Sequence, residues 1–271
     1  MNQVEKAGLL RTLHAGPDVL VLPNAWDAIS ARIVEAEGFP VVATTSAGIA
    51  AVLGYPDGQK IPRSEMLFLI GKIARAVNIP VTADIEAGYD DAAQTARDVI
   101  ASGAVGMNLE DMVGDELLPL AARIETIGAV RAACAVEGVP LVINARTDIF
   151  LAQHGDAATR FDRSVERLNA FYAAGADCLF APGVVDRETI GRLAAAVKGP
   201  LNILAGIGSP SIPEMKGLGV RRVSLGSGPS RVALGALRDL VRTLRHDGTF
   251  AGPGTGAVTY QQTQELLSRS S

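Results

Sequence analysis

The chain has 271 residues, 48% of them hydrophobic and 20% charged, with a formal net charge of −4. That length suits one large core, since an α/β barrel closes on about 250 residues. No basic run exceeds Arg221-Arg222 and no window approaches about 18 uncharged apolar residues, which excludes a basic nucleic-acid face and a membrane span. Cys134 and Cys178 have no metal-binding or redox spacing, and MNQVEKAGLLRTLHAG has no signal-like apolar core, so a reduced, cytoplasmic protein is expected.

Short apolar, β-branched runs recur in chain order: DVLVLP (18–23), PVVATTS (40–46), PVTADIE (80–86), AVGMNLED (104–111), PLVINARTD (140–148), ADCLFAPG (176–183), PLNILAGIG (200–208) and RRVSLGSG (221–228). They do not alternate apolar with polar, which predicts strands buried on both faces, as in a parallel sheet. Pro40, Pro80, Pro140 and Pro200 open four of them, where no central ladder bond is lost. Between the runs lie helix-like stretches such as ISARIVEAEGF, RSEMLFLIGKIARAV, DAAQTARDVIASGA, AARIETIGAVRAACAVEG and ETIGRLAAAVKG, several closed by Gly. Eight β/α units predict a single (β/α)₈ TIM-type barrel over residues 1–246. The segment 247–271 breaks the pattern. Its stretch GTFAGPGTGAVTY is Gly-rich, TYQQTQELLSRS is compatible with a short helix, and the whole is expected to pack on the barrel or on a neighbouring subunit.

Barrel active sites lie at the C-terminal ends of the strands. Strand 2 offers Thr44, Thr45, Ser46, Ala47 and Gly48 there; strand 3 offers Asp84 and Glu86; strand 4 offers Asn108, Glu110 and Asp111; strand 5 offers Asn144, Arg146 and Asp148; strand 7 offers Asn202; and strand 8 ends in Ser224, Gly226, Ser227 and Gly228. A carboxylate at the mouth of a buried strand is costly unless paired or bound to a cation, and hard oxygen ligands converging from separate strands suit Mg²⁺. Arg146 can take a carboxylate with two N–H groups, and the Ser46–Ala47–Gly48 turn can meet an oxyanion through backbone N–H groups. The matching ligand is a small 2-oxo acid. Structural roles compete at several of these positions. Asp84 and Glu86 can serve only as partners of Arg146, Glu110-Asp111 can be a helix cap, and Gly226–Gly228 can be plain turn chemistry. Cys134 and Cys178 read as core residues, Trp26 and Tyr55 as packing residues, and His14, His154 and His246 as surface residues, with only His154 kept open as a site residue.

The segments NAWDAISARIVEAEGF (24–39), TTSAGIAAVLGYPD (44–57), ADIEAGY (83–89), NLED (108–111) and NARTD (144–148) resemble the isocitrate lyase/phosphoenolpyruvate mutase superfamily, in order, over about the first two thirds of the chain. The resemblance implies that Asp84 is the direct Mg²⁺ ligand and that Glu86, Glu110 and Asp57 hold the metal largely through its waters. It implies that Ser46 and Ala47, beside Thr45 and Asn202, bind the substrate, and that Arg146 grips the departing or transferring group. On this reading Arg146, Glu110 and Asp57 are the catalytic residues, Mg²⁺ is the cofactor with Mn²⁺ as its substitute, and the assembly is a helix-swapped homotetramer. The lyases carry a Lys-Lys-Cys-Gly-His or Lys-Arg-Cys-Gly-His loop after the strand-4 acid, and the mutase a lysine and an asparagine there. Here MVGDELLPLAAR (112–123) has no Lys, Cys, His or Asn. The expectation is therefore a Mg²⁺-dependent lyase or hydrolase on a carboxylate of the pyruvate, oxaloacetate or 2-oxoglutarate type, with negligible isocitrate cleavage. A phosphonate-type enzyme and a non-catalytic 2-oxo-acid-binding protein are the alternatives.

Overall fold

The computed structural model describes residues 1–250 and 256–268. Strand β1 is Leu20–Leu22, carried past Pro23 by Asn24–Ala25; then come β2 (Val42–Thr44), β3 (Val81–Ala83), β4 (Gly106–Glu110), β5 (Val142–Arg146), β6 (Cys178–Phe180), β7 (Leu201–Leu204) and β8 (Arg222–Ser224). Helices α1 (Gln3–Ala15), α2 (Ala28–Ala36), α3 (Ser46–Val52), α4 (Arg63–Ala76), α5 (Ala92–Ser102), α6 (Leu120–Glu137), α7 (Arg160–Ala173), α8 (Arg187–Ala196), α9 (Ile212–Gly217), α10 (Gly228–Asp247) and α11 (Tyr260–Ser268) complete the described chain.

The strands pair in parallel in the order β2 to β8, and the two halves of β1 close the ring. Leu20 and Leu22 lie opposite Arg222 and Ser224 of β8, whereas Asn24 and Ala25 lie opposite Ala43 and Thr44 of β2. Pro23, which has no N–H, marks the switch between partners. Asn24 then replaces lost ladder bonds: its Nδ2 donates to the Thr44 carbonyl, and its Oδ1 accepts from the Leu225 and Gly226 N–H groups, each at 2.8 Å. The expected barrel is thus observed as a closed parallel (β/α)₈ ring. Its strands are shorter than the apolar runs in the sequence, because those runs continue into the loops at the barrel mouth.

Side chains alternate across each strand. Met107, Leu109, Ile143, Ala145, Leu179, Ile203 and Val223 pack outward with helix residues such as Ile70, Val99, Leu168 and Phe171. At the N-terminal end, Leu20, Leu22, Val41, Val105 and Val142 meet Ala7 and Leu10 of α1, which plugs the barrel. One expectation fails here. His14 is not a surface residue; it is 3% exposed beneath the barrel, its Nδ1 lies 2.7 Å from the Leu10 carbonyl oxygen and its Nε2 lies 3.4 Å from Nη1 of the fully buried Arg222. Burial first, then the Arg222 charge, pushes its pKa down to about 4, so it is a neutral core residue. Placement in the last turn of α1, against the plug, overrides its polarity.

Helix α10 leaves Val232, Leu234, Leu237, Val241 and Leu244 exposed along its length, and α11 lies against α2 of the same chain. Residues 251–255 and 269–271 of the tail lie outside the described residues. Among the described residues no helix is long and apolar enough to cross a membrane.

Candidate active site

The acidic strand ends meet at the C-terminal mouth of the barrel. Asp84 follows β3 and is 7% exposed. Its backbone N–H donates to Thr44 Oγ1 at 2.8 Å. Oδ2 of Asp84 accepts from both N–H and Oγ of Ser46 at 2.9 Å, and Oδ1 accepts from Asn108 Nδ2 at 3.1 Å. Ser46 can donate both bonds because it opens α3, where first-turn N–H groups have no intrahelical acceptor. Thr45 caps that helix, its Oγ1 accepting from Gly48 N–H at 3.4 Å. Gly48 is required for contact: a Cβ there would lie 2.6 Å from Thr45 Cγ2 and 2.9 Å from Trp26 Cβ. Ala47 is half-buried on the same turn.

Glu86 sits two residues past Asp84 with φ +56, an uncommon backbone for a non-glycine residue. The Gln59 N–H donates to its Oε2, while its buried Oε1 has no protein partner. Burial, then Asp84 and Asp57, push its carboxyl up to about 7. Asp57, on the 54–60 loop, is raised by burial at the cavity rim and then by Asp84.

Arg146 ends β5 beside Glu110, its register partner on β4. Its Nη1 meets Glu110 Oε1 at 2.5 Å, and its Nη2 and Nε reach Asp148 Oδ1 at 2.7 and 2.8 Å. Its ring-facing side lies 5.4 Å from the Phe180 centroid. Burial opposes the Arg146 charge, but Glu110 and Asp148 outweigh it and raise the pKa. Burial raises Glu110 and Asp148 in turn, with Arg146 opposing. One N–H on each terminal nitrogen of Arg146 remains for a ligand. The loop after β5 is anchored by Asp111, whose Oδ1 accepts from Asp148 N–H at 3.0 Å and whose Oδ2 pairs with Arg167 Nε at 2.6 Å.

These groups enclose a cavity of about 210 Å³. Ser46, Asp57, Gln59, Glu86, Glu110, Arg146 and Asp148 are its polar lining; Met112, Val113, Gly114, Leu151 and Ala152 also line it. The segment 112–123 is not one continuous loop. Met112–Val113 pairs with Glu116–Leu117 as a hairpin over the mouth, and α6 starts at Leu120. Arg167 Nη2 holds the hairpin base through the Leu118 carbonyl at 2.8 Å. Leu151 is seated by Gly183 at φ +88, where a Cβ would come within 2.6 Å of the Leu151 backbone.

Of the residues singled out in the sequence, Ser46, Asp57, Glu86, Glu110, Arg146 and Asp148 line the cavity, Asp84 lies directly behind Ser46, and Thr45 and Ala47 are not among the lining residues. Asn202 does not line it; it is fully buried and shares 3.4 Å hydrogen bonds with Ser224. Gln59, Leu151 and Ala152 enter without any motif to announce them. His154 lies outside the cavity, 3.1 Å from Arg163 through Nδ1.

Among the described residues no three acids, histidines or cysteines stand as a ready ligand set. The donor chemistry nonetheless suits a hydrated divalent cation. Three hydrogen bonds occupy the Asp84 carboxylate and leave about one of its four lone-pair sites, so it can offer a single direct bond. Glu86 Oε1 is buried and unpartnered. Asp57, Asp84, Glu86, Glu110 and Asp148 face one arginine, an excess of negative charge that a cation retaining several waters would balance.

The family model for phosphoenolpyruvate phosphomutase matches residues 10–245. The chain belongs to that family. Within the isocitrate lyase/phosphoenolpyruvate mutase superfamily it is similar to a Burkholderia cenocepacia J2315 structure provisionally described as a lyase/mutase, with TM-score 0.90, 36% identity, and 98% of this chain and 96% of that one covered. It is 31% identical to oxaloacetate decarboxylase of Rhodopseudomonas palustris (strain BisB5), over 97% of this chain and 91% of the relative. The structure of oxaloacetate acetylhydrolase with its product oxalate superposes with TM-score 0.85 at 26% identity, covering 97% of this chain and 94% of that one.

Proposed function

We propose that the protein is a Mg²⁺-dependent carbon–carbon lyase that decarboxylates a small 2-oxo dicarboxylate of the oxaloacetate type. The observation that carries this reading is the lining that the hairpin and the loop after β5 give the cavity. The acids and Arg146 share the lining with the hairpin and the 151–152 loop, which add Met112, Val113, Gly114, Leu151 and Ala152 with no proton donor or acceptor in their side chains. Retro-aldol cleavage needs a group to take the hydroxyl proton of the substrate, which here only carboxylates of the proposed cation and arginine cluster could do; decarboxylation needs none when the bond breaks. The C3–C4 bond cleaves, its electron pair becomes the C2–C3 double bond of the enolate, CO₂ leaves, and C3 then takes up one proton.

A divalent cation, when bound, supplies positive charge for the developing enolate oxygen. Asp84 would hold it directly, with Glu86, Glu110 and Asp57 acting through its waters. The first turn of α3 would receive the C1 carboxylate through the Ala47 N–H, since Asp84 holds both Ser46 donors. Arg146 orients the departing carboxylate through its two remaining N–H groups. Because Glu110 and Asp148 cancel its charge, that grip does not oppose loss of the carboxylate charge as CO₂ forms. The apolar lining acts in the same direction, since it solvates neutral CO₂ better than a carboxylate. Similarity to oxaloacetate decarboxylase supports the substrate class. The apolar face of α10 supports assembly into an oligomer, on the family pattern a helix-swapped tetramer.

The test is an NMR-followed substrate panel with Mg²⁺ and with chelator. Mg²⁺-dependent conversion of oxaloacetate to pyruvate and CO₂, with isocitrate untouched, is the expected result. Tight Mg²⁺-dependent binding of oxaloacetate or pyruvate without conversion would replace the enzyme by a 2-oxo-acid-binding protein.

A further inference from the structure

Asn108 and Asn144 are both interior residues of the barrel, 8% and 0% exposed, and stand opposite each other in register on β4 and β5. Asn144 Nδ2 donates to Asn108 Oδ1 at 2.7 Å, and Asn108 Nδ2 donates to Asp84 Oδ1 at 3.1 Å. The order of this chain is set from its top. An ionised carboxylate only accepts hydrogen bonds, so the amide end facing Asp84 is the NH₂. The Asn108 carbonyl is thereby turned toward Asn144, which meets it with its own NH₂. Ser46 fixes the other carboxylate oxygen with two donors. Asp84 is thus held in one orientation by three bonds, with one oxygen site left over.

We propose that Asn108 and Asn144 form a directional pair of positioning residues that orients Asp84 for the divalent cation, with Asn144 acting at one remove. The pair touches neither the cavity nor the reacting atoms. The inference rests on the cation site of the proposed function and not on the reaction. Its physical content is polarity: what matters at position 144 is a donor, not a polar group as such. A neutral amide can present that donor inside the barrel at the cost of leaving its own Oδ1 buried without a partner, whereas a charged donor would carry a larger desolvation penalty.

Asn144→Asp separates this from plain electrostatics. The substitution keeps the shape and adds a negative charge inside the barrel, which by Coulomb's law alone tightens cation binding. An aspartate at 144 cannot donate to Asn108 while ionised. Asn108 must then turn its NH₂ toward residue 144 and its carbonyl toward Asp84, where two acceptors face each other. The expected result by calorimetry, on the full-length protein without substrate, is Mg²⁺ affinity at least about tenfold weaker, the equivalent of roughly 1.4 kcal/mol. The thermal midpoint of the apo protein reports whether the variant is folded. Asn144→Ala is the second variant: it removes the donor without adding charge, and should weaken Mg²⁺ binding by a smaller factor. In turnover, both variants should need more Mg²⁺ for half-maximal rate.

Unchanged or tighter Mg²⁺ binding in a folded Asn144→Asp protein, measured at a pH high enough to ionise the new buried carboxyl, would overturn the inference. If that variant does not fold, Asn144→Ala binding Mg²⁺ as the parent does would overturn it equally. A parent that binds Mg²⁺ and responds as described but leaves oxaloacetate intact refutes only the proposed reaction. A parent that binds no Mg²⁺ refutes both.

Discussion

At the residue scale the site is governed by crowding of carboxylates. Asp84 is satisfied on both oxygens by Ser46 and Asn108, and Glu86 is not satisfied on Oε1. This difference predicts unequal effects of removal. Asp84→Ala should abolish Mg²⁺ binding measured by calorimetry, since it removes the single direct ligand of the proposed site. Glu110→Ala should weaken it less, because water can replace a ligand that acts through water. Glu86 carries a pH prediction. Its folded pKa is about 7, above the ordinary 4.5, mainly through burial and then through Asp84 and Asp57. A raised carboxyl contributes stability below its unfolded pKa and loses it as pH rises through the folded one. In chelator, the melting temperature should therefore fall between about pH 4.5 and 7 from this group, and Glu86→Gln should flatten that slope. An unchanged slope in the variant would remove Glu86 from the cluster of charges described here.

At the scale of elements, the hairpin at 112–117 and the loop after β5 share one anchor. Asp111 is 1% exposed and receives both Arg167 and the Asp148 N–H, while Arg167 also holds the Leu118 carbonyl. Arg167→Ala would leave a buried carboxylate without its partner, which typically costs about 3–5 kcal/mol. Chemical denaturation should show a loss of that order. The double change Arg167→Met with Asp111→Leu should recover much of the stability, since a buried pair replaced by apolar residues is often neutral. Turnover should not recover in the double variant, because the Asp148 N–H would lose its acceptor and Arg146 its orientation. Full activity in the double variant would show that the hairpin and the Arg146 cluster are independent.

For the whole molecule, the unusual feature is α10. Leu234, Leu237, Val241 and Leu244 follow a three-and-four spacing that puts them on one helix face, and they are 44–57% exposed. An apolar stripe of that length on a barrel helix is the surface that the proposed assembly would bury. Light scattering should find an oligomer at micromolar concentration, and Leu237→Glu should shift the mass toward the monomer. A monomeric parent would reject this reading.

The sequence by itself determined the architecture and the polar half of the site. Eight doubly apolar runs separated by helical stretches leave few options other than a closed parallel barrel, because each run must bury both faces. Acids placed just after such runs necessarily reach the barrel mouth, so Asp84, Glu86, Glu110 and Arg146 were legible as a group. Contacts between distant segments were not. Gln59 meets Glu86, Leu151 and Val113 line one cavity, and Asp148 rather than Glu86 shares Arg146 with Glu110, all through loops whose paths no local pattern encodes. Asn202 and His14 show the same limit from the other side: a polar residue near a strand end or a helix end reads as functional or exposed, yet cross-strand packing places Asn202 against Ser224 and the α1 plug buries His14. Periodicity records which residues are buried, and only the tertiary structure decides which buried polar groups face one another, since hydrogen bonds act over about 3 Å between atoms that the chain may separate by more than a hundred residues.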